Sequence, residues 1–202
     1  MVRYSKDLGD IRIIYLDEIW EGELPELGMP GLYAKGEQSC LDIIRHYQKK
    51  STFFFDFFRE DLTVGGYNTL NLFREMVPNY IRTHGEYYFE PWNKGKKFDS
   101  RFRSAARLPA DENTYKAIPY FFCYFMDSIL FCPADNLTWE KYICHFKKHP
   151  LERAEQYIAN RFCDMAFLLT DSADFSILFN SNHYNVEEVE KTVSSYTQHL
   201  ED

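Results

Sequence analysis

From Ile118 to Phe131 the chain runs for 14 residues with Asp127 as its only charge and six aromatic rings. Fully burying one large apolar side chain stabilises a fold by roughly 1.5–3 kcal/mol, so this run has to lie inside whatever the chain forms. It is far shorter than the ~20 apolar residues that a membrane-crossing helix needs. Its length, with Pro119 suited to a first helical position and Pro133 to a stop, predicts one buried helix. Rings are frequent elsewhere too: 18 Phe, 15 Tyr and 3 Trp among 202 residues. Large rings suit either a dense core or a contact surface, and composition alone does not choose between them.

The other segments predict a mixed fold. Ile11 to Leu16 is short and β-branched, which predicts an early strand paired with Val2 to Tyr4. Ser39, with Asp42 three residues on, predicts a helix cap, and Leu41, Ile44, Tyr47, Ser51, Phe54, Phe55 and Phe58 continue at helical spacing. A second helix is expected from about Asn68 to Ile81, kinked at Pro78. Glu86 to Glu90 predicts a short strand. Residues 93–109 break the pattern and predict a long surface loop.

The last third is more regular. Thr138 predicts the cap of a helix carrying Trp139, Tyr142, Ile143 and Phe146 on one face. Pro150 opens another, with Leu151, Ala154, Tyr157, Ile158 and Phe162 inward. Met165 to Thr170 and Phe175 to Phe179 predict a hairpin joined through Asp171 and Asp174. Asn185 and Glu188 predict the cap of a closing helix. The expectation is a single α+β domain over residues 1–202, helix-rich, with a small antiparallel sheet that includes the C-terminal hairpin.

A net charge of −8 disfavours general nucleic-acid binding, which rewards a basic surface, and suits a basic partner. The N-terminal residues lack the apolar stretch of an export signal, and five widely spaced cysteines suit a reducing compartment. A cytoplasmic location without membrane contact is expected.

Catalytic signatures are weak. Gly65-Gly66 lacks the further residues of a phosphate-binding loop, and a turn explains it. His145 and His149 are spaced to share a helix face. The residue after His145 is Phe146 where a zinc-protease motif needs glutamate, so capping of a helix end is the better expectation. Cys163 reads as a buried structural thiol, and Asp171 and Asp174 as turn supports. Neither a cofactor nor a metal is expected. Two patches of uneven charge remain. Asp17, Glu18, Glu21, Glu23 and Glu26 surround Trp20 with no base between them, the make-up of a protein-binding hot spot. Lys94, Lys96, Lys97, Arg101, Arg103 and Arg107 form a basic island with Phe98 and Phe102 interleaved. That island either meets RNA or neutralises the protein's own acids.

The acidic stretch Asp17-Glu18-Ile19-Trp20-Glu21-Gly22-Glu23 and the aromatic run around Tyr120 to Phe125 resemble, in overall character, the bacterial immunity proteins of contact-dependent growth inhibition systems. The resemblance implies a non-enzymatic inhibitor that neutralises a cognate toxin, commonly a basic nuclease, by occluding its active site. Asp17, Glu18, Trp20, Glu21, Glu23 and Glu26 would then contact the partner. Two other classes stay open. One is an enzyme with a site assembled from His145, His149 and Asp164; the other is an RNA-associated adaptor working through the basic segment 94–107.

Overall fold

Phe53, Phe54, Phe55, Asp56 and Phe57 are all buried, in sequence, along one β-strand. Successive side chains on a strand point to opposite faces, so an unbroken buried run requires cover on both sides of the sheet. The computed structural model provides it, describing residues 2–16, 36–60, 86–91, 101–124, 126–149, 152–169 and 175–198. Among these residues eight strands form one sheet: β1 (Val2–Leu8), β2 (Ile11–Leu16), β3 (Thr52–Glu60), β4 (Glu86–Pro91), β5 (Arg101–Pro109), β6 (Met126–Phe131), β7 (Met165–Leu169) and β8 (Phe175–Asn180). Their order is β1-β2-β8-β7-β6-β3-β5-β4, and every pairing is antiparallel.

Helices α1 (Glu37–Tyr47), α2 (Glu112–Tyr124) and α5 (Val186–Thr197) cover one face. There Ile43, Ile44, Tyr115, Ile118, Val189 and Val193 pack on Phe53, Phe55, Leu130, Phe167 and Ile177. Helices α3 (Trp139–Lys148) and α4 (Ala154–Ala159) cover the other, setting Tyr142, Phe146, Tyr157 and Ile158 against Phe54, Ile129, Phe131 and Leu178. The chain is an α+β fold, as its sequence predicts. The sheet is not small, however, and the described residues are not helix-rich: strands supply the middle layer and helices the outer two.

Several local expectations hold. β1 and β2 pair across the turn at Gly9-Asp10, where Gly9 takes a φ of 72°, a left-handed conformation that glycine adopts without a Cβ clash. Thr138 accepts from the Lys141 N–H at the start of α3, and Asn185 from the Glu188 N–H at the start of α5. β7 and β8 pair as the expected hairpin, Met165 opposite Phe179.

The helix expected to open at Pro150 begins at Ala154, with Arg153 at its cap, and Phe162 lies beyond its end. Four further expectations need correction. The helix expected through Phe58 ends at Tyr47, and Thr52–Glu60 is a strand. Its apolar positions only mimic helical spacing, because both strand faces are buried. That helix also starts earlier than expected, with Gly36 at the cap and Ser39 buried within the first turn. The run Ile118 to Phe131 is divided between α2 and β6, and Pro119 lies inside α2. The true start is Asp111, whose carboxylate accepts from the N–H groups of Asn113 and Thr114 at 3.1 and 3.0 Å.

The fourth concerns the basic stretch, much of which is strand β5 and not loop. β5 lies between β3 and β4, with Ser104, Ala105, Ala106 and Leu108 buried. Arg107 is exposed and bonds Glu86 of β4 at 3.2 Å. By register, Arg101 stands opposite Glu60 and Arg103 opposite Glu90. The expected helix at 68–81, the turn at Gly65-Gly66, Lys94 to Lys97 and the hairpin loop with Asp171 and Asp174 lie outside the described residues. Among the described residues, no helix is long and apolar enough to cross a membrane.

Candidate functional site

An antiparallel sheet brings the start of one strand beside the end of the next, and four such termini gather here. The start of β3, the end of β6, the start of β7 and the end of β8 share one edge of the sheet, as the pairs Phe54–Phe131, Phe131–Ala166 and Met165–Phe179 fix. The connections that leave this edge enclose a cleft of about 400 Å³. Lys49 and Lys50 come from the α1–β3 connection, Cys132 to Asp135 follow β6, Asp164 precedes β7, and Tyr184 precedes α5. Met165, Phe167 and Pro133 add apolar lining, and Tyr47 closes one side.

Backbone hydrogen bonds hold the rim in place. Ala134 N–H donates to the Phe162 carbonyl at 2.7 Å, and Asn180 N–H to the Asp164 carbonyl at 2.9 Å. The Gln48 side-chain amide donates to the Lys50 carbonyl at 3.0 Å, which fixes the turn that presents both lysines.

The polar groups form two chains. Asp164 bonds His183 Nδ1 at 2.6 Å through one oxygen, and its other oxygen lies 3.8 Å from Lys49 Nζ. Lys49 Nζ in turn sits 4.5 Å from the centre of the Tyr184 ring, a cation–π distance, and Tyr47 meets that ring edge-on at 5.8 Å. Lys50 pairs with Asp135 at 2.9 Å.

Burial opposes the Lys49 charge, yet the Tyr184 hydroxyl and the negative charge of Asp164 outweigh it and hold the ammonium above its usual range. Burial pushes the Cys132 thiol up, against the pull of the Lys49 and Lys50 N–H groups and their ammonium charges. Burial likewise raises the Tyr47 and Tyr184 hydroxyls, opposed by hydrogen bonds from Thr192 and Lys49. The cleft therefore sets the Lys49 ammonium, phenols that keep their protons and a protonated thiol beside Asp135 and Asp164, with apolar residues completing the lining.

The histidine pair sits elsewhere. His145 and His149 stack with ring centres 4.2 Å apart at the end of α3, where the His149 N–H donates to the His145 carbonyl at 3.0 Å. This is the capping position that the sequence favours. His145 Nε2 is paired with the carboxylate of Glu152, which also accepts from the Asn160 amide at 2.6 Å. Asp164 does not join them; it holds His183 and Lys49. Cys163 is 1% exposed in the core beneath α4, and burial raises its thiol well above the usual range. Among the described residues, no group of three or more His, Cys, Asp or Glu side chains is arranged to hold a metal ion.

Asp17, Glu18, Trp20, Glu21, Glu23 and Glu26, the partner-binding candidates, lie outside the described residues. The cleft was not foreseen from sequence, because Lys49, Cys132, Asp164 and Tyr184 come from separate connections and share no local motif. No protein-family model, curated protein or solved structure matches the chain.

Proposed function

We propose that this chain is a non-enzymatic protein-binding inhibitor of the immunity type, acting in the cytoplasm on a cognate basic toxin whose active site it occludes. The observation that carries this reading is the concentration of five carboxylates, without a base, around Trp20 between Asp17 and Glu26. Such a patch imitates the phosphates of a nuclease substrate, while a ring supplies desolvated contact area.

The division of rings elsewhere supports it. Phe53, Phe54, Phe55, Tyr115, Phe131, Tyr142, Phe146, Tyr157, Phe167, Phe175 and Phe179 are all buried, and among the residues whose side chains are described Leu8 is the one exposed large apolar side chain. These rings are committed to the core, so an aromatic anchor for a partner comes from other segments, and Trp20 has the charge around it that a basic surface selects. The basic island supports the reading from the other side. Arg107 is paired with Glu86, and Arg101 and Arg103 stand in register with acids of neighbouring strands. That pattern fits internal neutralisation better than RNA contact.

The test is affinity capture from the native host, followed by co-expression of the captured protein with this chain. Capture of a basic toxin whose lethality is relieved on co-expression supports the proposal. Lethality that co-expression leaves unchanged refutes it.

A further inference from the structure

We infer that the cleft between α1, the end of β6 and the β8–α5 connection is a binding site for a small aromatic anion, one ring bearing a single phosphate or carboxylate. The inference uses no residue of the acidic stretch and does not depend on the inhibitor proposal.

The volume, about 400 Å³, lies within the range of small-molecule pockets, and the lining has their usual division of labour. Met165, Phe167 and Pro133 offer apolar contact for a ring, and Tyr47 and Tyr184 present aromatic edges and hydroxyls beside it. Two consecutive lysines supply the charge. An ammonium is a compact cation with three rotatable donors, suited to an oxyanion whose orientation the apolar walls set.

The carboxylates now facing these lysines hold them weakly. Asp135 is 99% exposed, so its pair with Lys50 is screened by water and exchanges readily. Asp164 divides its charge between His183 at 2.6 Å and Lys49 at the longer distance of 3.8 Å. An incoming oxyanion therefore replaces contacts of small strength with charge-assisted hydrogen bonds that are partly shielded from solvent. Either end of such a ligand alone would use half of the site.

Titration calorimetry on the full chain separates the contributions, with phenyl phosphate as the probe, inorganic phosphate as anion alone and benzyl alcohol as ring alone. Phenyl phosphate should bind at one site and about ten-fold tighter than either fragment. Replacing both lysines, Lys49→Ala with Lys50→Ala, should weaken it about ten-fold or more. Asp135→Asn, at a solvated position where folding is not at stake, should strengthen it about two-fold by removing the competing carboxylate. Absence of saturable phenyl phosphate binding up to about 10 mM overturns the inference. So does an affinity that neither the lysine pair nor Asp135→Asn alters, with thermal unfolding used to confirm that each variant is folded.

Discussion

The Tyr157 hydroxyl, on α4, donates a hydrogen bond to Asp56 in the middle of β3, and both residues are at most 2% exposed. Asp56 interrupts the phenylalanine run of β3, and Tyr157 comes from the layer that covers it. Tyr142 of α3 places its own hydroxyl 3.5 Å from that of Tyr157, so a polar thread crosses an otherwise apolar layer. Such a thread fixes how α3 and α4 sit on the sheet, since a shifted helix leaves a buried carboxylate short of a donor. Tyr157→Phe should therefore lower stability by about 1–3 kcal/mol in urea unfolding. Asp56→Asn, which keeps an acceptor oxygen, should cost less than Asp56→Ala. Equal costs for the two would show that packing, and not the hydrogen bond, holds the helix pair.

Phe53 and Phe55 face α1, α2 and α5, while Phe54 faces α3. A sheet covered on one side would tolerate alternate residues, but here truncation should be costly at every position. Phe53→Ala, Phe54→Ala and Phe55→Ala should each destabilise by about 3–5 kcal/mol. An alternating pattern, with Phe54→Ala close to neutral in equilibrium unfolding, would contradict the layer that α3 and α4 provide.

The same two-sided cover explains which parts of the fold were legible in the sequence. Thr138 and Asn185 announce α3 and α5 because those helices keep a wet face, so cap and apolar stripe both stand out. The β7–β8 hairpin is legible from two β-rich runs separated by turn residues. β3 is not, since Phe54, Phe55 and Phe58 satisfy a helical template once alternation is lost. The boundary between α2 and β6 is hidden for the same reason, all of Ile118 to Phe131 being apolar or aromatic apart from Asp127 and Ser128. β5 is concealed by its arginines, whose register with Glu60, Glu86 and Glu90 exists only after three strands have assembled. Of the cleft, nothing was legible, because its residues meet only when four strand ends do.

Tyr115 offers a test in alkaline solution. It is 4% exposed under the Arg45 guanidinium, 4.4 Å from the ring centre, and its hydroxyl has no hydrogen-bond partner among the described residues. Burial pushes its pKa up to about 12, aided by negative charge at Cys132 and Glu112 and opposed by Arg45. Between the ordinary value of 10.0 and about 12, the native state keeps a proton that the unfolded chain gives up, so stability falls as pH rises through that window and is unaffected below it. Tyr115→Phe should leave stability unchanged or slightly raised at pH 7, since it removes a buried hydroxyl without a partner. The variant should lose less stability than the parent between pH 10 and 12. Parallel unfolding curves across that window would mean that Tyr115 ionises as freely in the native state as in the unfolded chain.

Trp20 is the decisive position for the inhibitor proposal, because it predicts two separable effects once the partner is in hand. A ring at the centre of a binding patch contributes mainly to holding the complex together, so Trp20→Ala should weaken binding by about 2 kcal/mol or more, roughly 30-fold in Kd, through faster dissociation. Carboxylates around it act earlier, on encounter. The triple replacement Glu18→Gln, Glu21→Gln and Glu23→Gln should slow association and flatten its dependence on salt, with a smaller change in dissociation. Asp135→Asn and Glu140→Gln, exposed acids far from that stretch in sequence, serve as controls and should change neither rate by more than about two-fold. Surface plasmon resonance at two ionic strengths reads both rates directly. If the controls slow association as much as the Glu18, Glu21 and Glu23 set does, the partner responds to net charge alone, and the stretch from Asp17 to Glu26 is not its binding face.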